Sequence, residues 1–318
     1  MKTYSLLLLI IVLGACQNRS ENQKVEIVRL ETELFATKSV KALSETIQNN
    51  SALRLYFGND STVAPQLFQN INNGDLQQFN KDLQTQFGDM TDLKAQLSEA
   101  LSNIKHEYPD FKAPKIATVV SGFLGSDLYL SDSLVVIGLD YFGGPMAKFR
   151  PQFYDYQLRR YQREYIVPSI LFFLSEKFNK STTTDKTLLA DMIWYGKSFE
   201  FVKQTLPQTS DSLIIGYSEQ QLADVYESQS DIWAYFIDRK ALYQTTDTEK
   251  QRFTSERPAT VEISQACPGG IGRWLGWRIV GEYLKKNADI SLKELMDNSN
   301  AQQIFEQSKY RGEKDITQ

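Results

Sequence analysis

Alternating apolar and polar positions in the first half of the chain predict a small sheet. Val25–Leu30 alternates apolar and charged residues, which is typical of a strand with one buried face. Three further segments are rich in β-branched and apolar residues and are also predicted as strands: Lys115–Val120, Asp127–Leu130 and Leu134–Leu139. The glycine pair in Tyr141–Pro145 closes this sheet.

Helical spacing occurs between the first two predicted strands. A helical stretch runs from Ser39 toward Phe57, whereas residues 58–75 are rich in Asn, Gly, Asp and Ser and predict a loop. A second helical zone follows, with leucines spaced by four residues, and it ends near Pro109.

After about residue 155 the pattern is helical throughout. Tyr156–Phe178 predicts a long helix with a kink at Pro168. The other predicted helices are Asp185–Leu206 with Thr184 or Asp185 as N-cap, Ser218 toward Leu242, Pro268–Lys286, Leu292–Met296 and Ala301–Gln307. No repeat or long linker divides the chain. We therefore expect one α+β domain over residues 25–318, with a small N-terminal sheet packed on a mostly helical C-terminal half.

The first sixteen residues have the pattern of a lipoprotein signal peptide. Lys2 supplies a positive charge, and the apolar stretch Ser5–Leu13 is too short to cross a bilayer of about 30 Å as a helix. Leu13-Gly14-Ala15-Cys16 resembles the bacterial lipobox, which implies cleavage before Cys16 and its acylation, with palmitate among the acyl chains. Residues 1–15 are therefore predicted as a signal peptide and Cys16 as the lipid anchor. The alternative is an ordinary signal peptide with a chance cysteine near its end.

The residues that follow Cys16 indicate in which membrane the lipoprotein is retained. Residues 16–24 are polar and are predicted to form a lipidated tether. Gln17 stands where an aspartate would signal retention in the inner membrane, and no acidic run follows the cysteine. We therefore expect the protein in the cell envelope, on the periplasmic face of the outer membrane.

Composition narrows the classes of function. The chain has 318 residues and 35 Lys and Arg against 39 Asp and Glu, so it lacks the basic excess of a nucleic-acid binder. One histidine and two cysteines cannot build most catalytic zinc sites and disfavour a serine–histidine triad. The single histidine, His106, is interpreted as a surface residue near a helix end.

The remaining chemical motifs are sparse. No GxxxxGK[ST], GxSxG or HExxH sequence is present, so no cofactor or metal is predicted. Gly270, Gly272 and Gly276 lack the GxGxxG spacing and are interpreted as sites of close helix packing. Cys267 has no partner once Cys16 is acylated, and it is interpreted as a small buried apolar residue.

Four segments of the chain together carry a resemblance to a protein family. They are Val25–Phe35, Leu189–Lys197, Gln220–Ile237 and Cys267–Tyr283. With the lipobox in front and Ser308-Lys309-Tyr310 behind, they resemble the gliding motility-associated lipoprotein GldB family of the Bacteroidetes. The resemblance covers essentially the whole mature chain, and PGGIGRWLGWRIVGEY is its most specific part.

The same helices are similar to a family of predicted zincin-type metallopeptidases. There, HExxH lies on one helix and an acidic ligand on the next; here Arg163 and Val167 stand in place of the histidines, and Asp191 has the acidic position. An arginine stays protonated and cannot bind zinc. The resemblance therefore implies a zincin-like scaffold without its metal site, a pseudo-metallopeptidase.

Glu164 is left with two interpretations. It can form a structural ion pair with Arg160 or Arg163. Alternatively, Glu164 and Asp191 are an acid–base pair in a periplasmic hydrolase or peptidase, provided that burial raises the pKa of one of them.

The resemblance and the lack of an intact catalytic constellation predict a non-enzymatic, membrane-anchored lipoprotein. It would be required for the gliding motility apparatus and the associated protein secretion. Its expected partners are protein subunits of that machinery, docked on the degenerate groove or on the helical face of Gln220–Leu242, and the membrane through Cys16. A third hypothesis is a lipoprotein that binds a substrate for import. Such proteins usually have two alternating α/β lobes, which the predicted order of helices and strands lacks.

Overall fold

A four-stranded mixed sheet lies in the N-terminal half. In the computed structural model, which describes residues 23–313, the strand order is β1-β2-β4-β3, with β3 antiparallel to β4 and the other pairs parallel. The strands are β1 (Ile27–Arg29), β2 (Lys115–Val119), β3 (Leu128–Leu130) and β4 (Leu134–Gly138), so all four predicted strands are confirmed. The predicted signal peptide, Cys16 and most of the predicted tether lie outside the described residues.

Six helices connect β1 to β2. They are α1 (Leu30–Ala36), α2 (Val40–Asn49), α3 (Ser51–Phe57), α4 (Val63–Ile71), α5 (Gly74–Phe87) and α6 (Thr91–Glu107). The loop predicted over residues 58–75 is wrong, because α4 lies within it. Ala64, Leu67 and Ile71 have helical spacing and bury one face of α4, although the residues on either side favour turns.

The second half of the described chain is helical, as predicted. Its helices are α7 (Asp155–Leu158), α8 (Ile166–Ser175), α9 (Leu188–Thr205), α10 (Asp211–Ile215), α11 (Glu219–Glu227), α12 (Gln229–Asp238), α13 (Asp247–Thr254), α14 (Ile271–Lys286), α15 (Leu292–Asp297) and α16 (Ala301–Ser308). Two 3₁₀ turns, Arg163–Tyr165 and Ala241–Tyr243, lie between them.

Several predicted helix boundaries are wrong. The long helix expected over Tyr156–Phe178 is divided into α7, a 3₁₀ turn and α8, and Pro168 lies in the first turn of α8, where its missing N–H has no intrahelical partner to lose. The helix expected from Ser218 is divided at Ser228 into α11 and α12. Thr187 is the N-cap of α9, two residues after Asp185, since its hydroxyl accepts the Ala190 N–H at 3.2 Å.

The sheet is covered on both faces. Leu134 and Val136 of β4 face the apolar cluster built by α1–α4, whereas Val135 and Ile137 face the main core of α5, α6, α8, α9 and α14. All five β4 residues are buried, as expected for a strand between two helical layers. The fold is α+β as predicted, although the N-terminal half also contributes a helical layer.

The closest helix–helix contact joins α9 to α14. A Cβ on Gly276 would lie 1.8 Å from the Met192 carbonyl oxygen, and one on Gly196 would lie 2.4 Å from the Gly276 carbonyl oxygen. The two backbones therefore touch, which confirms helix packing as the role of Gly276. Gly272 also packs closely, since a Cβ there would lie 3.0 Å from the Phe253 carbonyl oxygen.

Between residues 23 and 313, no helix combines the length and the hydropathy that a bilayer-spanning segment needs.

Candidate functional site

Residues 163–167, for which the metallopeptidase resemblance implies a single helix, do not form one α-helix. Arg163, Glu164 and Tyr165 form a 3₁₀ turn, and α8 begins only at Ile166. Val167 is fully buried, whereas Glu164 is exposed. Arg163 and Val167 therefore do not lie on one face of an α-helix, as two zinc-binding histidines of an HExxH motif would.

The predicted pairing of Glu164 with a neighbouring arginine is wrong, because both arginines have other partners. The Arg163 guanidinium donates to both carboxylate oxygens of Asp92, one of them at 2.8 Å, and to the Gln86 carbonyl oxygen at 2.8 Å. This hydrogen bonding lowers the pKa of Asp92. Arg160 forms an ion pair with Glu256. Arg163 thus ties the start of α8 to α5 and α6.

The structure does not bring Glu164 and Asp191 together. The 3₁₀ turn that holds Glu164 contacts α10, which follows the C-terminal end of α9. Asp191 lies in the first turn of α9, and its carboxylate lines a cavity that Glu164 does not line. The acid–base pair that the hydrolase reading requires is therefore not assembled.

Asp191 instead forms an ion pair with a lysine from α13. The distance between Lys250 Nζ and a carboxylate oxygen of Asp191 is 2.9 Å, and Asp247 lies 3.5 Å from the same nitrogen. Burial alone would lower the pKa of Lys250, but the hydrogen bonds and charges of Asp191 and Asp247 outweigh burial and raise it. Lys250 is therefore protonated at neutral pH and holds Asp191 in an ion pair.

Lys197, one turn and a half further along α9, is buried in the core. Only 1% of it is exposed, and its ammonium group donates to the carbonyl oxygens of Lys180, Met296 and Asn298 at 2.7–3.0 Å. Burial lowers the pKa of Lys197 to about 8. All three N–H donors are used. The side chain thus fastens the loop before α9 and the segment between α15 and α16 to the centre of the fold.

Asp191, Lys197 and Lys250 line one cavity of about 360 Å³. Its rim also includes the hydroxyls of Ser181, Thr182 and Thr183 and the charged groups of Lys180, Asp185 and Lys186. Asp191 and Asp247 are paired with Lys250, and Lys197 is fully hydrogen-bonded. The cavity is therefore a polar recess in which Asp191 and Lys197 already have partners within the protein.

His106 and Cys267 lie where the sequence predicts them, one exposed and the other buried. His106 is exposed near the end of α6. Cys267 is buried and unpaired with another cysteine, and burial raises the pKa of its thiol to about 12, so it is not a thiolate at neutral pH. Between residues 23 and 313, His, Cys, Asp and Glu side chains form no group of three or more that could hold a metal ion.

Sequence reasoning missed Lys197 and Lys250. A signal for Lys197 was present, since it lies four residues from both Ile193 and Phe201, two core positions of α9. A lysine at core spacing indicates a buried charge with dedicated acceptors. No such signal exists for Lys250, because its burial depends on where α13 packs.

Comparison with known proteins connects this architecture to one family. The family model of the gliding motility protein GldB matches residues 16–312, which include every described helix and strand. No curated protein and no solved structure matches the chain. The match covers nearly the entire sequence and agrees with the resemblance carried by its four segments. The chain therefore belongs to the GldB family of gliding motility proteins.

Proposed function

We propose that the protein is a non-enzymatic lipoprotein of the gliding motility apparatus and of the protein secretion associated with it. The observation that carries the proposal is the family match over residues 16–312. The match begins at Cys16, the residue predicted to bear the lipid, which supports a mature protein held at the membrane by this cysteine. The proposed location is the periplasmic face of the outer membrane.

The geometry around Asp191 supports a role in binding rather than in catalysis. The carboxylate is engaged by Lys250, and Glu164 lies apart from it. A carboxylate acid–base pair needs both groups within reach of one substrate. A scaffold protein that binds other subunits does not need two carboxylates close together.

The face of α11 and α12 has the charge pattern of a contact surface. Asp224, Glu227 and Asp231 are exposed on its outer side, whereas Leu222, Val225 and Ile232 are buried against the core. Trp233 does not contribute to this face, because its ring packs on Phe305 and Tyr310. We therefore propose that the acidic face of α11 and α12 docks a basic surface of a partner subunit.

Crosslinking in native membranes tests both proposals. The tagged full-length protein should recover other motility or secretion subunits. The double variant Glu227→Lys/Asp231→Lys should lower this recovery and slow gliding, since reversed charges repel a basic partner. The matched control Asp110→Lys/Asp289→Lys reverses two exposed acidic residues elsewhere and should behave as the wild type.

Two results would contradict the proposed function. One is recovery of the wild-type protein with lipids alone; the other is a deletion strain that glides and secretes normally. If the double variant retained its partners, only the assignment of the acidic face would be wrong.

A further inference from the structure

A second, smaller cavity is lined by arginines from several elements. It has a volume of about 50 Å³ and lies between the start of α14 and the segments that follow α7, α10 and α13. Arg159, Arg160, Arg257 and Arg273 line it, and Glu256 is the acidic residue among its lining side chains. Residues distant in sequence thus bring four guanidinium groups to one small space.

Two of these arginines are neutralised by the protein. Arg160 forms an ion pair with Glu256, and Arg257 forms a bifurcated ion pair with Glu262 at 3.1 Å to each carboxylate oxygen. These pairs engage the carboxylates of Glu256 and Glu262.

The other two arginines have neutral partners within the described part of the chain. Arg159 donates to the side-chain amide oxygen of Gln221. Arg273 donates from Nε to the Thr254 carbonyl oxygen, and its guanidinium lies 4.5 Å from the ring centroid of Tyr195. Burial lowers the pKa of Arg273; the charge of Arg160 lowers it further, whereas Tyr195 and Glu256 oppose this change. Within residues 23–313 neither arginine forms an ion pair with a carboxylate, although the charge of Glu256 also acts on Arg273.

The start of α14 adds to the positive potential. This helix of 16 residues has no side-chain cap and no acidic residue in its first turn. Gly270, Ile271 and Gly272, at its start, are buried. The first N–H groups of a helix have no intrahelical acceptor and carry a partial positive charge, so they favour an anion in the same space.

We propose that this cavity binds a phosphate group, either inorganic phosphate or the terminal group of a phosphomonoester. The volume admits a few water-sized groups and therefore a single small oxyanion. The two guanidinium groups that form no ion pair match the charge of a phosphate dianion, whereas a carboxylate would neutralise only one of them. Arginine is the side chain best suited to bind phosphate oxygens through two parallel hydrogen bonds. This inference is independent of the proposed motility role.

Titration calorimetry on the full-length protein in detergent tests the proposal. Inorganic phosphate, added at constant ionic strength, should bind saturably. Arg159→Gln should weaken this binding about tenfold or more, because one charge-assisted hydrogen bond to the anion is lost. Arg159 is only half-buried, so this variant is expected to fold. Glycerol 3-phosphate in a parallel titration distinguishes a site for free phosphate from one that admits an ester.

Arg239→Gln is the matched control, since it removes one exposed arginine at the end of α12, outside the cavity. It should bind phosphate as the wild type does. Absence of saturable binding by either probe would overturn the proposal. Equal affinity of the wild type and Arg159→Gln would also overturn it, because the anion would then bind elsewhere.

Discussion

Three charged side chains, Glu31, Asp140 and Lys197, are at most 1% exposed. Burial of a charge is costly unless hydrogen bonds replace the lost water. Glu31 accepts from Arg29 and Thr118 at 2.8 Å each, and Lys197 donates to three carbonyl oxygens. Glu31 and Lys197 join segments that are distant in sequence, so each is expected to contribute more to stability than a surface charge.

Lys197→Met should lower the free energy of unfolding by about 3–5 kcal/mol, since it removes the three hydrogen bonds of a buried ammonium group. Chemical denaturation of the purified protein measures the loss. Lys186→Met is the control, because Lys186 is exposed at the rim of the same cavity and should change stability by less than about 0.5 kcal/mol. A loss in Lys197→Met no greater than in the control would refute the fastening role of Lys197.

Lys197 should make the free energy of unfolding depend on pH in a defined direction. Its pKa is about 8 in the folded protein against an ordinary value of 10.5, so the unfolded state binds more protons between these pH values. The free energy of unfolding of the wild type should therefore rise, relative to Lys197→Met, as the pH increases from 8 to 10. A difference between the two proteins that does not change with pH would contradict the lowered pKa.

The contribution of the buried Asp140 carboxyl group to stability should depend on pH. One carboxylate oxygen accepts from the backbone N–H groups of Phe123 and Ser121 at 2.7 and 3.1 Å, whereas the other has no partner among the described residues. Burial raises the pKa of Asp140, so the folded state binds more protons than the unfolded state above pH 3.8. The contribution of Asp140 to stability should therefore fall as the pH rises from 4 toward neutrality.

Asp140→Asn removes this titration, so its stability relative to the wild type should increase over the same pH range. Denaturation curves at several pH values provide the measurement. Asp60→Asn is a control of opposite sign, because hydrogen bonds from Thr62 lower the pKa of the exposed Asp60. Equal slopes for the two variants would be inconsistent with a raised pKa at Asp140.

At the scale of helices and strands, hydrophobic periodicity predicted the features that neighbouring residues determine. It failed at helix boundaries that contacts with distant segments determine. The strands were predicted because β-branched runs and turn residues are local signals. The division of the helix expected over Tyr156–Phe178 was not predicted, because Arg163 is held by α5 and α6 rather than by its own helix. The sequence also left open a pair of Glu164 and Asp191, whereas the turn that holds Glu164 contacts α10 and Asp191 lies in the first turn of α9.

The crossing of α9 and α14 gives a prediction for a pair of glycines on one helix. Gly276→Ala should lower the free energy of unfolding by several kcal/mol, since its Cβ would overlap the Met192 carbonyl oxygen. Gly281→Ala is the matched control: no atom lies within 4 Å of a Cβ there, and alanine favours the helix by up to about 1 kcal/mol. Thermal denaturation of both variants provides the measurement. Similar melting temperatures for the two would mean that the helices do not pack this closely.

For the whole molecule, the central question is how the fold is held in the envelope. Between residues 23 and 313 no helix could span a bilayer, and Gln23 and Val25 are already fixed to α6 by hydrogen bonds to Ser102 and Ser98 at 2.8 and 3.2 Å. If Cys16 bears the lipid, only a few residues separate the anchor from these contacts. The sheet and α6 would then lie near the membrane surface, because a short tether limits the distance of the fold from its anchor.

Cys16→Ser tests this arrangement, because serine has no thiol to be acylated. The variant should lose incorporation of labelled palmitate and move from the membrane fraction to the soluble fraction, and gliding should fail with it. Cys267→Ser is the matched control, since Cys267 is the other cysteine of the chain and is buried in the fold. It should keep the label and the membrane location. Labelling that persists in Cys16→Ser would show that the anchor lies elsewhere. The placement of the sheet and α6 near the membrane surface would then have no basis.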